Sequence, residues 1–150
     1  MQDIGFHYRI TDIQIALALS QLKKINKFLD KRKKIAKIYD NAFKKIKYIT
    51  IGQPKKETSS HHLYIIRIDF KKLKKTRAEL MDYLKLKNII TQVHYIPVTN
   101  HPYYLIKKYK SNNYPKSLKY YDEALSLPIY YTLTVKQQKF VIENLLNFFK

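Results

Sequence analysis

Apolar side chains recur every three to five residues through the first third of the chain: Ile13, Ala16, Leu17, Leu22, Ile25, Leu29, Ile35, Tyr39, Ala42 and Ile46. This is the period of an amphipathic helix. Lys23, Lys24, Lys27, Lys31, Lys34 and Lys37 fill much of the space between them. The pattern predicts a long helix over residues 12–45 with a bend near Asp30. Its first half is less clearly two-sided, because Leu17, Ala18, Leu19 and Ser20 follow one another. A helix of that kind is covered on more than one side, so contact with something beyond this small unit is expected.

Thr11, Thr76 and Thr134 are each followed three residues later by Gln14, Glu79 and Gln137. A Thr with Gln or Glu at that spacing satisfies the unpaired backbone donors at a helix start. The second and third boxes predict helices over residues 76–86 and 134–149. Residues 53–60 read as a polar loop. Residues 62–70, with Leu63, Tyr64, Ile65, Ile66 and Ile68, read as a buried strand. Residues 89–95 read as a second strand, running into a loop bracketed by Pro97 and Pro102, which lack the donor a ladder needs. One or two helical turns over 103–109, a short helix over 117–125 and a short edge strand over 127–130 complete the reading. The order predicts an α/β unit, a small sheet with helices packed against it.

Composition narrows the chemistry. At 150 residues and 45% hydrophobic, the chain is long enough for one core, with ~8,000 Å² left exposed if it closes on itself. It has no Cys, which excludes a disulfide scaffold, a Cys-based zinc site and a thiol nucleophile. Gly5 and Gly52 are its two glycines, too few for a glycine-rich phosphate loop. No apolar run approaches a membrane span, and residues 1–5 lack a secretory pattern, so a cytoplasmic protein with no membrane partner is expected.

The net charge of +19 invites a second reading, a nucleic-acid-binding module gripping a polyanion with the Lys-rich first helix. Only Arg9, Arg32, Arg67 and Arg77 are arginine, however, and the chain is rich in Ile, Tyr, Asn and Lys. Those residues use A/T-rich codons, so codon bias is favoured as the main source of the charge. Lys31, Arg32, Lys33 and Lys34 also go nearly all the way round the helix, which suits a solvated surface.

The five histidines are His7, His61, His62, His94 and His101. None forms a zinc-protease pair, no nucleophile elbow is present, and no metal site is expected. Asp69 and the Asp122–Glu123 pair read as caps or solvated groups. Two segments stand out. Gly5-Phe6-His7-Tyr8-Arg9 gathers an imidazole, a phenol and a guanidinium ahead of a helix start, where anions are favoured. Thr91-Gln92-Val93-His94-Tyr95-Ile96-Pro97-Val98 sets His94 and Tyr95 at a predicted strand end, where a rigid element hands side chains to a pocket. From the residue types alone, a site and ordinary scaffold are equally open at both.

These two runs, with Ala124-Leu125-Ser126-Leu127-Pro128-Ile129-Tyr130 behind them, resemble the sugar aminotransferases of the DegT/DnrJ/EryC1/StrS family. The resemblance covers essentially the whole chain. Within the family, the Gln92-to-Val98 run is similar to the branch acting in pseudaminic acid synthesis. The resemblance implies the C-terminal part of a fold-type-I enzyme dependent on pyridoxal 5'-phosphate. Residues 1–50 would be the connecting segment and long helix, and residues 51–150 the small C-terminal domain. The amino donor would be glutamate and the acceptor a UDP-linked 4-keto-6-deoxy sugar.

Family members carry their cofactor lysine in an N-terminal large domain that corresponds to nothing here. The resemblance therefore implies no catalytic residue in this chain, no transamination by it alone, and a missing large domain from the same gene or a separate chain. It also implies a homodimer. His7 stands where the family has an Asn that reaches the cofactor phosphate of the other subunit, a role an imidazole donor can fill. Arg9 matches the family Arg and would bind an anion of the nucleotide sugar. His94 and Tyr95 match a pair lining the substrate pocket. The family pattern departs near Thr99-Asn100-His101, where His101 alone is retained as a candidate.

Overall fold

The structure is a computed structural model and describes residues 4–6, 8–52, 59–108 and 111–150. In chain order its elements are α1 (Asp12–Leu22), α2 (Ile25–Phe43), β1 (Ile49–Ile51), β2 (Tyr64–Ile68), α3 (Phe70–Leu73), α4 (Arg77–Leu86), α5 (Pro102–Ile106), α6 (Pro115–Glu123), β3 (Ala124–Leu127) and α7 (Val135–Phe148). Two short 3-10 turns, Val98–Asn100 and Ser111–Asn113, lie in the long connection between α4 and α6. No helix among the described residues is long and apolar enough to cross a membrane.

All three Thr-led boxes form. Each Thr hydroxyl accepts from the backbone amide three residues on, and the Gln or Glu side chain accepts from the Thr amide. Asp69 is also a cap: it starts α3 and accepts from the Lys72 amide at 3.1 Å. The first helix corrects the sequence reading. It breaks at Lys23–Lys24 into α1 and α2, and α2 runs without interruption past Asp30. Lysine is a good helix former, so nothing in the residue types marked the break. The amide of Lys24 bonds the carbonyl of Gln21, a tight turn that ends α1.

The sheet is antiparallel with order β1-β2-β3. Tyr64, Ile66 and Ile68 alternate inward from the central β2. Their partners Leu127 and Leu125 on β3 face the same way, since paired positions in an antiparallel ladder share a side. Ile35, Ala36, Tyr39 and Phe43 of α2, Leu80 and Leu84 of α4, and Val141 and Leu145 of α7 cover that face. Gln138 of α7, 1% exposed, donates to the carbonyl of Ile35 at 2.8 Å and ties α7 to α2 inside the core.

The expected second strand does not form as such. Over residues 89–95 only Gln92 joins the sheet, bonding Ser126 in both directions at 2.8 and 3.3 Å. Ile89 tucks into the core, but Ile90 is exposed, so the chain touches the edge of β3 once and leaves toward Pro97. The expected edge strand over 127–130 lies three residues earlier, as β3, and is paired on both sides. β1 had no sequence signal: it is three residues long and follows α2 after a turn over residues 44–48.

The accessible surface is 11930 Å², well above the ~8,000 Å² of a compact monomer of this mass. Part of the excess lies at the N-terminal end. No residue of α1 is buried, and Phe6, Ile13, Leu17 and Leu22 stay exposed. The apolar first half of the predicted long helix is thus uncovered within this chain.

Candidate substrate-binding site

The alternation that sends Leu125 and Leu127 into the core turns Ser126 to the opposite face of the sheet, beside Ile65. That face carries polar side chains. Arg67 of β2 donates through Nε to Oε2 of Glu123 at 2.9 Å, and its Nη2 contacts the same oxygen. Glu123, expected to be a cap or a solvated group, is therefore half of an ion pair anchoring the end of α6 to the sheet. Arg77 donates to the carbonyl of Tyr121 and lies over the Tyr121 ring at 4.6 Å, which fixes α6 to α4.

His94 docks on the same face. Its Nδ1 lies 2.7 Å from Oγ of Ser126. The Tyr95 ring stands edge-on to the imidazole, with centroids 4.7 Å apart and planes at 89°. The His94–Tyr95 peptide bond is cis. His94 is partly buried, whereas Tyr95 is 74% exposed and free to meet another surface. The two residues singled out together in the sequence are thus in contact, although they sit in a bend and not at a strand end.

His94 and Ser126 open onto a cleft of about 1190 Å³ between β3 and the N-terminal half of α7. Ile90 and Phe140 give it apolar walls, and Lys87, Lys136 and Lys139 bring three cations to its border against the carboxylate of Glu143. An apolar concavity with a few placed donors suits an organic anion. The border lysines are exposed and were not singled out in the sequence. Ser126 was also missed as a site residue. The available signal was a lone hydroxyl in the apolar run Ala124-Leu125-Ser126-Leu127.

Arg9 and His101 sit apart from this cleft. Arg9 is exposed in the segment before α1 and does not line it. His7 lies outside the described residues. His101 is exposed and caps α5 through its backbone carbonyl, which accepts from Tyr104 and Leu105.

The back of the cleft is pinned by Arg32 of α2. Its Nη1 donates to the carbonyls of His61 and His62 at 3.0 Å each and of Ile129 at 3.2 Å. One guanidinium thereby joins α2 to the segment before β2 and to the segment after β3.

A family model described as DegT/DnrJ/EryC1/StrS aminotransferase matches residues 1–146. The chain belongs to this family. It is 38% identical over 142 residues to the spore coat polysaccharide biosynthesis protein SpsC of Bacillus subtilis, covering 93% of this chain and 36% of that protein. It is 35% identical over 150 residues to the UDP-4-amino-4,6-dideoxy-N-acetyl-beta-L-altrosamine transaminase of Campylobacter jejuni, covering 98% of this chain and 39% of that one. Among solved structures, Helicobacter pylori PseC, an aminotransferase involved in pseudaminic acid biosynthesis, superposes with a TM-score of 0.83 at 30% identity. That match covers 99% of this chain and 40% of PseC. The chain thus spans well under half the length of the relatives it matches, and its fold is that of the corresponding part of a sugar aminotransferase.

The described residues do not by themselves fit pyridoxal phosphate. A lysine that bonds the cofactor needs a desolvated amine or a neighbouring cation to lower its pKa. The lysines bordering the cleft are exposed.

Proposed function

We propose that this chain is the C-terminal, substrate-binding part of a pyridoxal-phosphate-dependent nucleotide-sugar aminotransferase. The reaction is amino transfer from glutamate to a UDP-linked 4-keto-6-deoxy sugar, as in pseudaminic acid biosynthesis. The bond-making lysine belongs to an N-terminal large domain, supplied by the same gene or a separate chain, and the 150-residue chain alone is inactive. In this reading residues 1–50 form the connecting segment and residues 51–150 the small domain, with α2 packed into the core of the second. The working enzyme is a homodimer in the cytoplasm.

His94 and Tyr95 touch the nucleotide sugar. Arg9 offers a fork of donors to one of its anionic groups, and His7 donates to the cofactor phosphate of the other subunit. The observation that carries the reading is the held imidazole of His94, locked against Ser126 and Tyr95 at the mouth of a cleft bordered by cations. The border lysines Lys87, Lys136 and Lys139 raise the local concentration of a diphosphate before it docks.

Two measurements on the purified chain test this. Titration with UDP should move the NMR resonances of His94 and Tyr95 first, and His94→Ala should weaken binding at least tenfold. Incubation with pyridoxal phosphate should leave no stoichiometric absorption band of lysine-bound cofactor. UDP shifts confined to α2, or a full-occupancy cofactor band, would refute the proposal.

A further inference from the structure

Among the described residues, the side chain of Ser126 has one hydrogen-bond partner, Nδ1 of His94 at 2.7 Å. Ser126 is 7% exposed and faces the cleft. Its position is fixed by the backbone: β3 is paired with β2 on one side and with Gln92 on the other. The edge of Tyr95 holds the imidazole from a second direction. The ring therefore has a set orientation, with Nδ1 engaged and Nε2 left for a ligand.

A serine hydroxyl can both donate and accept, and this makes it an unusual partner for a ligand-binding histidine. With no other acceptor bonded to it among the described residues, Ser126 places its proton on Nδ1. A nitrogen that accepts must be bare, so neutral His94 carries its hydrogen on Nε2. When the ring becomes a cation, Nδ1 donates and the same oxygen accepts. Nε2 is a donor in both states. A carboxylate or carbonyl in place of the hydroxyl would require hydrogen on Nδ1 and leave neutral Nε2 as an acceptor, facing the oxygen-rich ligand with a lone pair.

We propose that Ser126 is a positioning residue that fixes His94 as an Nε2–H donor toward the anionic oxygens of a bound nucleotide sugar, whatever the charge on the ring. The proposal rests on His94 being a ligand contact, as argued above, and assigns the group that prepares it.

Long-range proton–nitrogen NMR of the 150-residue chain reads the tautomer directly, with His94→Gln used to assign the signals. With the ring neutral, wild-type His94 should show a bare Nδ1 and a protonated Nε2. Ser126→Ala should shift the tautomer ratio by roughly fivefold to tenfold, the worth of one hydrogen bond. Ser126→Thr, which keeps the hydroxyl, should restore the wild-type pattern. A purely structural serine would leave the ratio unmoved. A wild-type ring with hydrogen on Nδ1, or an unchanged ratio in a folded Ser126→Ala, would overturn the proposal. If that variant does not fold, a wild-type ring with hydrogen on Nδ1 still overturns the proposal, and Ser126→Thr still reports on the hydroxyl.

UDP separates the two ideas. If the tautomer behaves as expected and UDP does not perturb His94, the functional reading fails and the positioning stands. If UDP perturbs His94 equally in wild type and Ser126→Ala with no change of tautomer, the positioning fails and the functional reading stands.

Discussion

Tyr64, fully buried at the start of β2, donates its hydroxyl to Oδ1 of Asp40 on α2 at 2.7 Å. The bond joins the sheet to the helix that covers it, at the inner end of an aromatic stack in which the Tyr39 ring lies 4.8 Å from Tyr64 and 5.7 Å from Phe43. Tyr64→Phe keeps the ring and strands the carboxylate. The expected loss is about 1 to 2 kcal/mol, because Asp40 is half-exposed and water recovers part of the bond. Chemical denaturation of the two proteins side by side gives the number.

The same tyrosine sets an alkaline limit. Burial, and then the bond to Asp40 and its charge, push the Tyr64 hydroxyl well above its ordinary 10.0. Burial, with a smaller contribution from Tyr130, does the same to Tyr39. A folded pKa raised above the unfolded one stabilises fully below the unfolded value, and the benefit is lost as pH climbs past it. The tyrosine contribution should be constant below pH ~9, and stability should fall steadily above pH ~10. Tyrosinate absorbance should rise in two parts: exposed rings first, then these two together with the loss of circular dichroism. Early, independent ionisation of both in a still-folded chain would contradict the assignment.

The acid limb comes from helix caps. The Lys72 amide and then the Lys72 ammonium hold Asp69 below its usual 3.8, and the Thr76 amide and hydroxyl hold Glu79 below its usual 4.5. Here the folded pKa is depressed. The contribution is present above the unfolded values and disappears as pH falls through the folded ones. Asp69→Asn and Glu79→Gln keep an acceptor at each cap and remove the titration. The double variant should therefore lose stability less steeply than wild type between about pH 5 and pH 2, measured by thermal unfolding at each pH.

Helices capped by Thr were legible because the cap is local chemistry: Thr11, Thr76 and Thr134 announce their helices within four residues. Buried β2 was legible for the same reason, as a run of β-branched and aromatic residues. What failed was decided at a distance. Residues 89–95 have strand composition, but β3 meets them only at Gln92, so the ladder stops after one bridge. The break at Lys23–Lys24 lies in residues that favour a continuous helix. The site was half legible. His94 and Tyr95 could be picked out, but Ser126 lies 32 residues away, and only the register of β3 turns its hydroxyl to the imidazole.

Arg32 was hidden among the lysines of its helix and ties that helix to two other segments of the chain. Three carbonyls share its Nη1, which the longer, rigid guanidinium holds in place, whereas a lysine ammonium sits on a shorter flexible stem. Arg32→Lys should cost about 1 to 3 kcal/mol, and Lys31→Ala or Lys33→Ala much less. Hydrogen exchange should localise the loosening to residues 59–63 and 128–131, the back wall of the cleft. Uniform loosening of the whole chain would show that Arg32 merely adds charge.

Thr91 predicts a gain. Its Oγ1 is buried with no hydrogen-bond partner among the described residues. A desolvated, unpaired hydroxyl costs stability, and valine has the same shape without it. Thr91→Val should leave the chain as stable as wild type or stabilise it by about 1 kcal/mol, while Thr91→Ser, which keeps the hydroxyl and drops the methyl, should destabilise. A loss of stability in Thr91→Val would mean that the hydroxyl is held by an ordered water.

α1 separates association from folding. Ile13, Leu17 and Leu22 are 84%, 63% and 60% exposed, and no residue of the helix is buried, so its apolar side chains do nothing for the fold of this chain. They do present a sticky surface to whatever is at hand. The isolated chain should therefore associate with itself as its concentration rises, in spite of a net charge of +19 that opposes association. Leu17→Gln combined with Leu22→Gln should abolish that association in sedimentation experiments. The unfolding midpoint at low concentration should stay within about 0.5 kcal/mol of wild type. A large drop in that midpoint would mean that α1 packs on the core. Association that survives the double change would place the adhesive surface elsewhere, with Tyr95, Tyr103 and Ile106 as the next exposed apolar group to alter.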